Sequence, residues 1–499
     1  MPNPLFDAFF GKHAGQTTPF LHLPDGTTLT HSDFLGRAAQ FAHALTACGV
    51  ETGDRVAVQI GKSADNLALY AACVQTGAIF LPLNTAYTAT ELRYFVEDSG
   101  ARLFVCDPKD HETLAALAPR VETLGTARDG TLADLAKAQP TQFDTVERSA
   151  DDLAAFLYTS GTTGRSKGAM LTQGNLLSNS QTLADLWRFS AEDVLLHALP
   201  IYHTHGLFVA TNVTLQAGGA MILLPKFDTQ EVLRHLPRAT AMMGVPTFYT
   251  RLLDDPHFTA NTCANMRLFV SGSAPLLAET HRQFESRTGH RILERYGMTE
   301  TNMNTSNPYD GDRRAGTVGL PLPDVELKVC DAEGQELPRG EIGTLEVRGP
   351  NVFKGYWQMP EKTAAELRAD GFFITGDLAV QAPDGYVTIV GRGKDLIISG
   401  GFNVYPKEVE DVLDAQPGVL ESAVIGVPHP DFGEGVVAVI VPEAGVTPDH
   451  GTLSEALKDQ LAAFKRPKHL ETVESLPRNT MGKVQKAALR DRFKAQFDG

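Results

Sequence analysis

The ten residues from Thr159 to Gly168, TSGTTGRSKG, decide how this chain is interpreted. They contain three glycines, five hydroxyl side chains and two cations, and they follow the apolar run LAAFLY at residues 153–158. Glycine lets the backbone turn tightly and bring its N–H groups close to a ligand. Hydroxyl groups add hydrogen bonds, and Lys167 adds a positive charge suited to phosphate. A strand that ends in such a loop predicts a triphosphate site.

The loop differs from the Walker pattern at both positions that flank its lysine. Ser166 precedes Lys167 where the pattern has Gly, and Gly168 follows it where the pattern has Ser or Thr. A flexible surface loop of small residues would also explain the glycines and threonines. It explains less well why an apolar segment, Ala169 to Leu171, follows the loop directly. We therefore favour phosphate binding.

Composition narrows the class of protein. At 499 residues the chain is long enough for a large core and more than one domain. A net charge of −16 argues against a nucleic-acid partner, so an anionic substrate has to be attracted by local cations. The cysteines are odd in number and far apart, which predicts reduced, buried thiols with neither a disulfide framework nor a zinc site. They are Cys48, Cys73, Cys106, Cys263 and Cys330.

Neither the start of the chain nor its apolar stretches predict a membrane protein. The sequence MPNPLFDAFFGKHAG lacks the basic start and long apolar core of a signal peptide. The longest apolar stretch, residues 68–83, is interrupted by Gln75, Thr76 and Gly77. We expect a cytoplasmic protein without a membrane partner.

The pattern of apolar segments changes along the chain. Through about residue 225, strand-like and helix-like segments alternate along the chain. An example is the strand at 54–60, followed by a helix that begins at Ser63 and ends at Gly77. This alternation predicts a parallel α/β fold. From about Pro321 short strands with Gly/Asp turns predict an antiparallel or barrel-like subdomain. Beyond Gly393 a compact α+β piece follows, with a helix predicted over 453–463, so the domain boundary is placed at 391–394.

Five further segments carry chemistry-bearing residues. Singly, each has an ordinary explanation: Asp377 as a turn residue, Glu300 as an acid at a helix start, and Lys483 as a solvated lysine. The segments are LPIYHTHG at 199–206, SGSAP at 271–275, ERYGMTE at 294–300, TGD at 375–377 and PRNTMGK at 477–483. In this order, and together with the phosphate loop, they resemble the acyl-adenylate-forming superfamily of acyl-CoA synthetases, luciferases and adenylation domains. The resemblance covers nearly the whole chain.

The resemblance implies an α/β fold in two domains. Residues 1–393 would form a large N-terminal domain of two sheets flanked by helices plus a small β-barrel, which binds ATP and the acyl group. Residues 394–499 would form a small mobile α+β C-terminal domain that carries a catalytic lysine, Lys483.

The resemblance also implies roles for individual residues. Thr299 would reach the α-phosphate, Glu300 would bind Mg²⁺ with help from Thr159, and Lys483 would bridge the substrate carboxylate and the α-phosphate. Lys394 would be the hinge between the domains, and the pantetheine arm of coenzyme A would pass Gly400 and Gly401. The residues implied for ATP binding are Thr159, Ser160, Gly161, Thr162, Thr163, Gly164, Lys167, Ser273, Ala274, Pro275, Glu294, Tyr296, Asp377 and Arg392.

The implied reaction suits these residues. Attack of a carboxylate on the α-phosphate of ATP brings two anions together and expels pyrophosphate, so the protein has to supply positioning and charge neutralisation. The acyl-AMP then meets the thiol of coenzyme A and gives a thioester and AMP. One site serves both reactions only if Lys483 leaves, which is why a hinge is expected at the boundary.

The acid is predicted from residues outside these motifs. Arg251 and Arg295 are expected to hold a second carboxylate, with Ser273 and His205 as further donors, because a buried guanidinium without a partner is costly. By itself Arg251 could be a surface cation on an ordinary helix. Resemblance to the malonate-activating members of the family, in which matching arginines clamp the distal carboxylate, makes malonate the first choice and methylmalonate the second.

Three alternatives remain open. The chain could be a short-chain acyl-CoA synthetase of other specificity, or an adenylation enzyme that loads a carrier protein. A catalytically silent nucleotide-binding protein is disfavoured by the presence of Glu300, Asp377 and Lys483. Because Lys483 is expected near the C-terminus on an exposed loop, a lysine acetyltransferase is a further expected partner.

Overall fold

The computed structural model describes residues 3–159, 166–479 and 482–497. Its helices are α1 Pro4–Phe9, α2 His31–Ala47, α3 Ala64–Thr76, α4 Ala89–Ser99, α5 His111–Leu114, α6 Thr131–Lys137, α7 Gln173–Leu186, α8 Asn212–Ala217, α9 Thr229–His235, α10 Pro246–Leu253, α11 Ala278–Thr288, α12 Pro360–Glu366, α13 Pro406–Asp414, α14 His450–Gln460 and α15 Lys486–Phe493. Its strands are β1 Pro19–His22, β2 Thr28–Thr30, β3 Arg55–Gln59, β4 Ile79–Pro82, β5 Leu103–Cys106, β6 Val121–Thr123, β7 Leu153–Thr159, β8 Lys167–Thr172, β9 Val194–His197, β10 Ala220–Leu223, β11 Ala241–Gly244, β12 Leu268–Ser271, β13 Leu293–Met298, β14 Asn302–Ser306, β15 Leu320–Pro321, β16 Glu326–Cys330, β17 Ile342–Arg348, β18 Gly355–Tyr356, β19 Phe373–Gln381, β20 Val387–Arg392, β21 Ile397–Ser399, β22 Phe402–Val404, β23 Val419–His429, β24 Gly433–Pro442 and β25 His469–Thr472.

The first sheet carries the strands on both sides of the phosphate loop. Within the described ranges its order is β18-β8-β7-β4-β3-β5-β6, parallel from β7 to β6 and antiparallel where β8 and β18 are added. The strands β3, β4 and β5 are buried almost throughout, as expected for parallel strands covered on both faces. The helix that follows β3 begins where the Ser63 side chain accepts from Asn66 N, and ends at Gly77 with φ +71°. Both ends of this helix were predicted from the sequence.

The second sheet carries the acyl-side segments. Its order among the described residues is β15-β14-β13-β12-β11-β9-β10-β1-β2, with a parallel centre and antiparallel edges. The motif segments 199–206, 271–275 and 294–300 follow β9 and β12 or span β13. Because the ends of parallel strands meet at one edge of a sheet, these segments come together there.

A small antiparallel subdomain follows the second sheet. Its order in the described part of the chain is β16-β17-β19-β20. The edge strand β20 is extended by backbone hydrogen bonds between Val387 and residues 318–319, from Val318 N to Val387 O at 2.9 Å and from Val387 N to Gly319 O at 2.8 Å. The barrel-like subdomain predicted from about Pro321 onward corresponds to this sheet.

The chain beyond Gly393 builds a separate α+β unit. Strands β21 to β25 form one sheet within the described ranges, and α13, α14 and α15 pack on it. The helix predicted at 453–463 lies at His450–Gln460, because the Asp449 side chain accepts hydrogen bonds from Gly451 N and Thr452 N and starts the helix three residues early. The predicted fold class, a large domain of sheets and helices followed by a small α+β domain, is confirmed.

The burial of the cysteines agrees with the prediction from their number and spacing. All five cysteines are buried free thiols. Over the residues that the structure describes, no helix is long and apolar enough to cross a membrane.

Candidate functional site

An acidic and a basic residue face each other across two strands of the small subdomain. Asp377 of β19 is the register partner of Arg392 of β20, and Arg392 Nε lies 2.6 Å from Asp377 Oδ1. The hydroxyl of Tyr296 donates to the other carboxylate oxygen, because burial and the Asp377 charge raise the pKa of Tyr296 and keep it protonated. Asp377 is only 3% exposed. A fixed, buried carboxylate of this kind can accept hydrogen bonds from a pair of vicinal hydroxyls, as on a ribose.

A second carboxylate lies between the two sheets. Glu300 is 5% exposed and follows β13, and its Oε1 is 3.3 Å from Thr159 Oγ1 and 3.1 Å from the Tyr356 hydroxyl. Burial raises the pKa of Glu300. Thr299, the predicted α-phosphate ligand, is the preceding residue and is partly exposed.

The donor set around Glu300 fits Mg²⁺. The ion prefers oxygen ligands and is commonly bound by one or two carboxylates together with substrate phosphates. Glu300 and Thr159 supply a carboxylate and a hydroxyl at hydrogen-bond distance of each other. Among the described residues no three acidic, histidine or cysteine side chains gather into a metal-binding group.

The phosphate loop is described only at its two ends. Ser160, Gly161, Thr162, Thr163 and Gly164 lie outside the described residues, and their predicted role stays a prediction. Thr159 ends β7 and Lys167 begins β8. The ammonium of Lys167 lies 3.3 Å from Glu366 Oε2 and 3.1 Å from the Tyr356 hydroxyl.

The segments predicted for adenine follow β12 and begin β13. Ser273, with φ +72°, starts the turn that continues through Ala274 and Pro275. Glu294 is 6% exposed, and its Oε1 lies 3.5 Å from His281 Nδ1 and 3.4 Å from Gly316 N. Burial raises the pKa of Glu294.

Arg295 carries a buried guanidinium. It is 4% exposed, and its Nε and Nη2 have no hydrogen-bond partner among the described residues. Gly272 makes room for it, since a Cβ at that position would lie 2.3 Å from Arg295 Cζ. Desolvation lowers the pKa of Arg295 to about 9. Because an unpaired buried charge is costly, this position needs an anion.

Polar groups that can donate surround the guanidinium. Ser273 Oγ lies 3.2 Å from His205 Nδ1, while His205 Nε2 and His203 Nδ1 have no partner in the described ranges. Burial, followed by the charges of Lys483 and Arg295, lowers the pKa of His203 to about 3. Burial and the Arg295 charge also hold the pKa of His205 well below its usual value. Both imidazoles are therefore neutral at pH 7, and each can donate one hydrogen bond.

The predicted contact of Arg251 with the substrate carboxylate stays a prediction, while its burial differs from what was expected. The sequence predicts a buried pair of arginines, but Arg251 is exposed. Its helix, α10, buries Tyr249 and Leu252, and helical geometry turns position 251 about 100° away from Leu252. Thr247, one turn earlier, lies on the same side of the helix as Arg251 and faces the Lys483 loop.

The C-terminal unit brings Lys483 to this cleft. A Cβ on Gly482 would lie 3.4 Å from Thr247 Oγ1, so the Lys483 loop rests on α10. Desolvation lowers the pKa of Lys483, and Arg392 and Arg295 lower it further, while Asp377 and Glu300 raise it. The lysine retains solvent-exposed surface in the open cleft. The structure thus gathers Lys483, Glu300, Asp377, Arg392 and Arg295 around one space.

The predicted hinge and passage residues lie on the surface. Lys394 is exposed within a short 3₁₀ turn, Gly393–Asp395, directly after β20. Gly400 and Gly401 are exposed at the turn of the β21–β22 hairpin, with φ of +59° and +82°. Their roles stay predictions.

Two residues near the phosphate loop are absent from the sequence-based site. Tyr356 and Glu366 contact Lys167, and Tyr356 also contacts Glu300. The segment that contains them, KGYWQMPEKTAAE at 354–366, has no pattern that points to phosphate or metal. Only the pairing of β18 with β8 brings it to the loop.

Comparison with known proteins agrees with this geometry. The AMP-binding enzyme family model matches residues 10–357, and the model of the AMP-binding enzyme C-terminal domain matches residues 408–483. A solved structure of ATP-bound MatB from Rhodopseudomonas palustris is 57% identical, with a TM-score of 0.98 and 100% of both chains covered. A mitochondrial malonate–CoA ligase of Mus musculus is 38% identical over 83% of this chain and 77% of its own length. A feruloyl-CoA synthase of an Amycolatopsis species is 38% identical over 94% of both chains.

The chain belongs to the family of AMP-binding enzymes. Its curated relatives within that family are CoA ligases of several specificities, which places it among the CoA ligases.

Proposed function

We propose that the protein joins malonate to coenzyme A through a malonyl-AMP intermediate, with malonyl-CoA, AMP and pyrophosphate as products, and that methylmalonate is a second substrate. The observation that carries this proposal is the buried, unpaired guanidinium of Arg295. An acid with one carboxylate would react at the α-phosphate and leave Arg295 without an anion. An acid with a second carboxylate supplies that anion, and the names of relatives such as malonate–CoA ligase favour malonate among such acids.

The distal carboxylate would be held from several sides. Arg295 offers Nε and Nη2, His205 offers Nε2, and Ser273 is held beside His205. Charge-assisted hydrogen bonds from a guanidinium to a carboxylate are shorter and stronger than neutral ones. The guanidinium packs against the backbone at Gly272, where a Cβ would lie 2.3 Å from Arg295 Cζ. The pocket therefore selects for charge at its far end.

The first half-reaction needs neutralisation of two anions. Asp377 and Arg392 would hold the ribose, and the phosphate loop would hold the triphosphate with Thr299 at the α-phosphate. Lys483 would bridge the reacting carboxylate and the α-phosphate, so that their repulsion falls as the new oxygen–phosphorus bond forms and pyrophosphate leaves. Mg²⁺, held by Glu300 and Thr159 together with substrate oxygens, would supply charge neutralisation on the phosphates.

The second half-reaction needs the same space for a thiol. The sulfur of coenzyme A attacks the acyl carbon of malonyl-AMP, the thioester forms, and AMP leaves with the electrons of the broken acyl–oxygen bond. Lys483 is close enough to Asp377 and Glu300 for their charges to raise its pKa. We infer that the unit from residue 394 onward rotates about Lys394 after the first step, so that the pantetheine arm passes Gly400 and Gly401.

A panel of acids tests the proposed substrate. Pyrophosphate release is measured with acetate, malonate, methylmalonate, succinate, benzoate and ferulate, with and without coenzyme A. We expect malonate to be used best, methylmalonate next, and acetate at least ~10²-fold less well in kcat/KM, because it leaves Arg295 unpaired. Equal use of acetate or propionate would indicate a short-chain acyl-CoA synthetase of other specificity, and preference for ferulate would indicate a feruloyl-CoA synthase.

Coenzyme A itself has to be tested against a carrier protein. An enzyme that loads a carrier protein would release pyrophosphate with malonate and ATP in the same way. Free coenzyme A should be converted to malonyl-CoA at the rate of pyrophosphate release. If malonyl-AMP accumulates and coenzyme A does not consume it, the carrier-protein alternative holds.

We also propose a cytoplasmic location and control by a lysine acetyltransferase at Lys483. Acetylation removes the charge that the first half-reaction needs. Protein carrying acetyl-lysine at 483, made by genetic incorporation, should lose malonyl-AMP formation, and deacetylation should restore it. Full activity of the acetylated protein would contradict this control.

A further inference from the structure

Lys167, the phosphate-loop lysine, is engaged by an acidic partner in this structure. Its Nζ lies 3.3 Å from Glu366 Oε2 and 3.1 Å from the hydroxyl oxygen of Tyr356. The side chains of Lys167 and Glu366 are 16% and 23% exposed. Because water screens this ion pair only in part, the Glu366 carboxylate competes with a phosphate for the ammonium.

The register of two strands builds this contact. β18 pairs antiparallel with β8, with Tyr356 opposite Ala169. The ammonium of Lys167 therefore lies 4.1 Å from the centroid of the Tyr356 ring. α12 begins four residues later, and Tyr356 N donates to Thr363 Oγ1 at 2.9 Å. This contact ties the helix to the strand and sets Glu366 Oε2 2.7 Å from the Tyr356 hydroxyl.

Glu366 contacts a second cation besides Lys167. Lys362, one turn earlier in α12, places its Nζ 2.6 Å from Glu366 Oε1, the oxygen that Lys167 does not contact. If Lys167 leaves, the carboxylate keeps Lys362 and the Tyr356 hydroxyl. It is therefore not left as an unpaired buried charge, which lowers the cost of the exchange.

The same hydroxyl connects the pair to the metal-binding carboxylate. Tyr356 lies 3.1 Å from Glu300 Oε1 as well as 2.7 Å from Glu366. A hydroxyl has one proton and can donate to only one of these carboxylates at a time. The contacts of Lys167 and those of Glu300 are thus linked through one side chain.

We propose that Glu366 is a latch: it holds Lys167 while the nucleotide site is empty and releases it to the incoming polyphosphate of ATP, an inference that rests on the proposed function. Glu366 is a positioning residue that competes with phosphate for one ammonium, and Lys362 keeps it paired after the exchange. The latch keeps the lysine ordered beside the loop without leaving its charge unpaired.

Equilibrium binding of Mg·ATP to the full chain, without acid or coenzyme A, tests the latch. In Glu366→Gln the competing charge is gone, so the Kd for Mg·ATP should fall about threefold to tenfold, the ratio expected when a partly shielded ion pair no longer has to be broken. Glu366→Ala should show the same direction. A residue that only supported the fold would weaken binding when replaced. Glu361→Gln removes an exposed charge from the same helix and should leave the Kd within about twofold.

A double-mutant cycle identifies Lys167 as the group released. Glu366→Gln should change the Kd less than about twofold when Lys167 is already alanine, because no ammonium remains to be freed. An unchanged or weaker Kd in Glu366→Gln, or an equal gain in the Lys167→Ala background, would overturn the latch. A wild-type chain that fails to bind Mg·ATP would overturn the proposed function as well. A wild-type chain that binds Mg·ATP and activates malonate, with Glu366→Gln unchanged, would overturn the latch alone.

Discussion

Replacement of Arg295 by methionine tests the proposed origin of malonate selectivity. Methionine fills much of the same volume but cannot donate, so the distal carboxylate would be desolvated without its cation. Two nitrogens of Arg295 are free to bind it. Hydrogen bonds to a charged group contribute about 1.5–3 kcal/mol each, so loss of two should cost ~3–6 kcal/mol, or roughly 10²- to 10⁴-fold in malonate kcat/KM.

The assay is initial-rate pyrophosphate release with malonate and with butyrate, a neutral-tailed acid. Arg295→Met should lose activity with malonate and gain activity with butyrate, because the buried charge no longer opposes an apolar tail. Binding of Mg·ATP should stay within about twofold, which shows that the nucleotide site is intact. Arg251→Met, at the exposed arginine, is the matched control and should change malonate kcat/KM less than about threefold.

Two results would refute this reasoning. If Arg295→Met retained malonate kcat/KM within threefold, the guanidinium would not hold the substrate. If Arg251→Met had the larger effect, the exposed arginine would have to move into the pocket when malonate binds, and the pair predicted from the sequence would form only in the complex.

Three further predictions concern the same cleft. Lys483→Ala should slow malonyl-AMP formation by at least ~10²-fold in single-turnover assays while thioester formation from supplied malonyl-AMP stays nearly intact, and equal loss in both steps would contradict domain rotation. Gly272→Ala should raise the KM for malonate at least ~10-fold although Arg295 is still present, because the new Cβ would lie 2.3 Å from Arg295 Cζ. An unchanged KM would show that the guanidinium can shift. Burial lowers the pKa of Arg295, but at pH 7 the guanidinium stays charged. The ratio of malonate to butyrate kcat/KM should therefore stay constant between about pH 7 and pH 8, whereas any titration of Lys483 acts on both acids alike; a ratio that changes across that range would argue against the charge of Arg295 as the selector.

Helix ends and the proximity of motif residues, where the local sequence or a motif sets them, were predicted well. The helix α3 was bounded correctly because its ends are set by the Ser63 side chain and by the left-handed conformation of Gly77. Asp377 and Arg392 were assigned to the same ligand and lie opposite each other on paired strands. In these cases the neighbouring residues along the chain decide the geometry, or a family motif specifies it.

Structural features that depend on packing were not predicted. Arg251 is exposed because the turn of α10 directs Tyr249 and Leu252 inward. Tyr356 and Glu366 reach the phosphate loop only through the β8–β18 register. The contact of Gly272 with Arg295 joins the residue after β12 to a residue of β13, and no local sequence pattern predicts it. Long-range register and the direction of a side chain on a helix are set by the assembled core, so they are seen only in the structure.

The most direct test of the central claim is identification of the product formed from malonate and Mg·ATP before coenzyme A is added. Rapid quench and mass spectrometry should find malonyl-AMP and pyrophosphate in equal amounts, up to one per enzyme. Addition of coenzyme A should then convert this malonyl-AMP to malonyl-CoA and AMP. Formation of ADP and phosphate, or malonyl-CoA formation without a malonyl-AMP that coenzyme A consumes, would contradict the account.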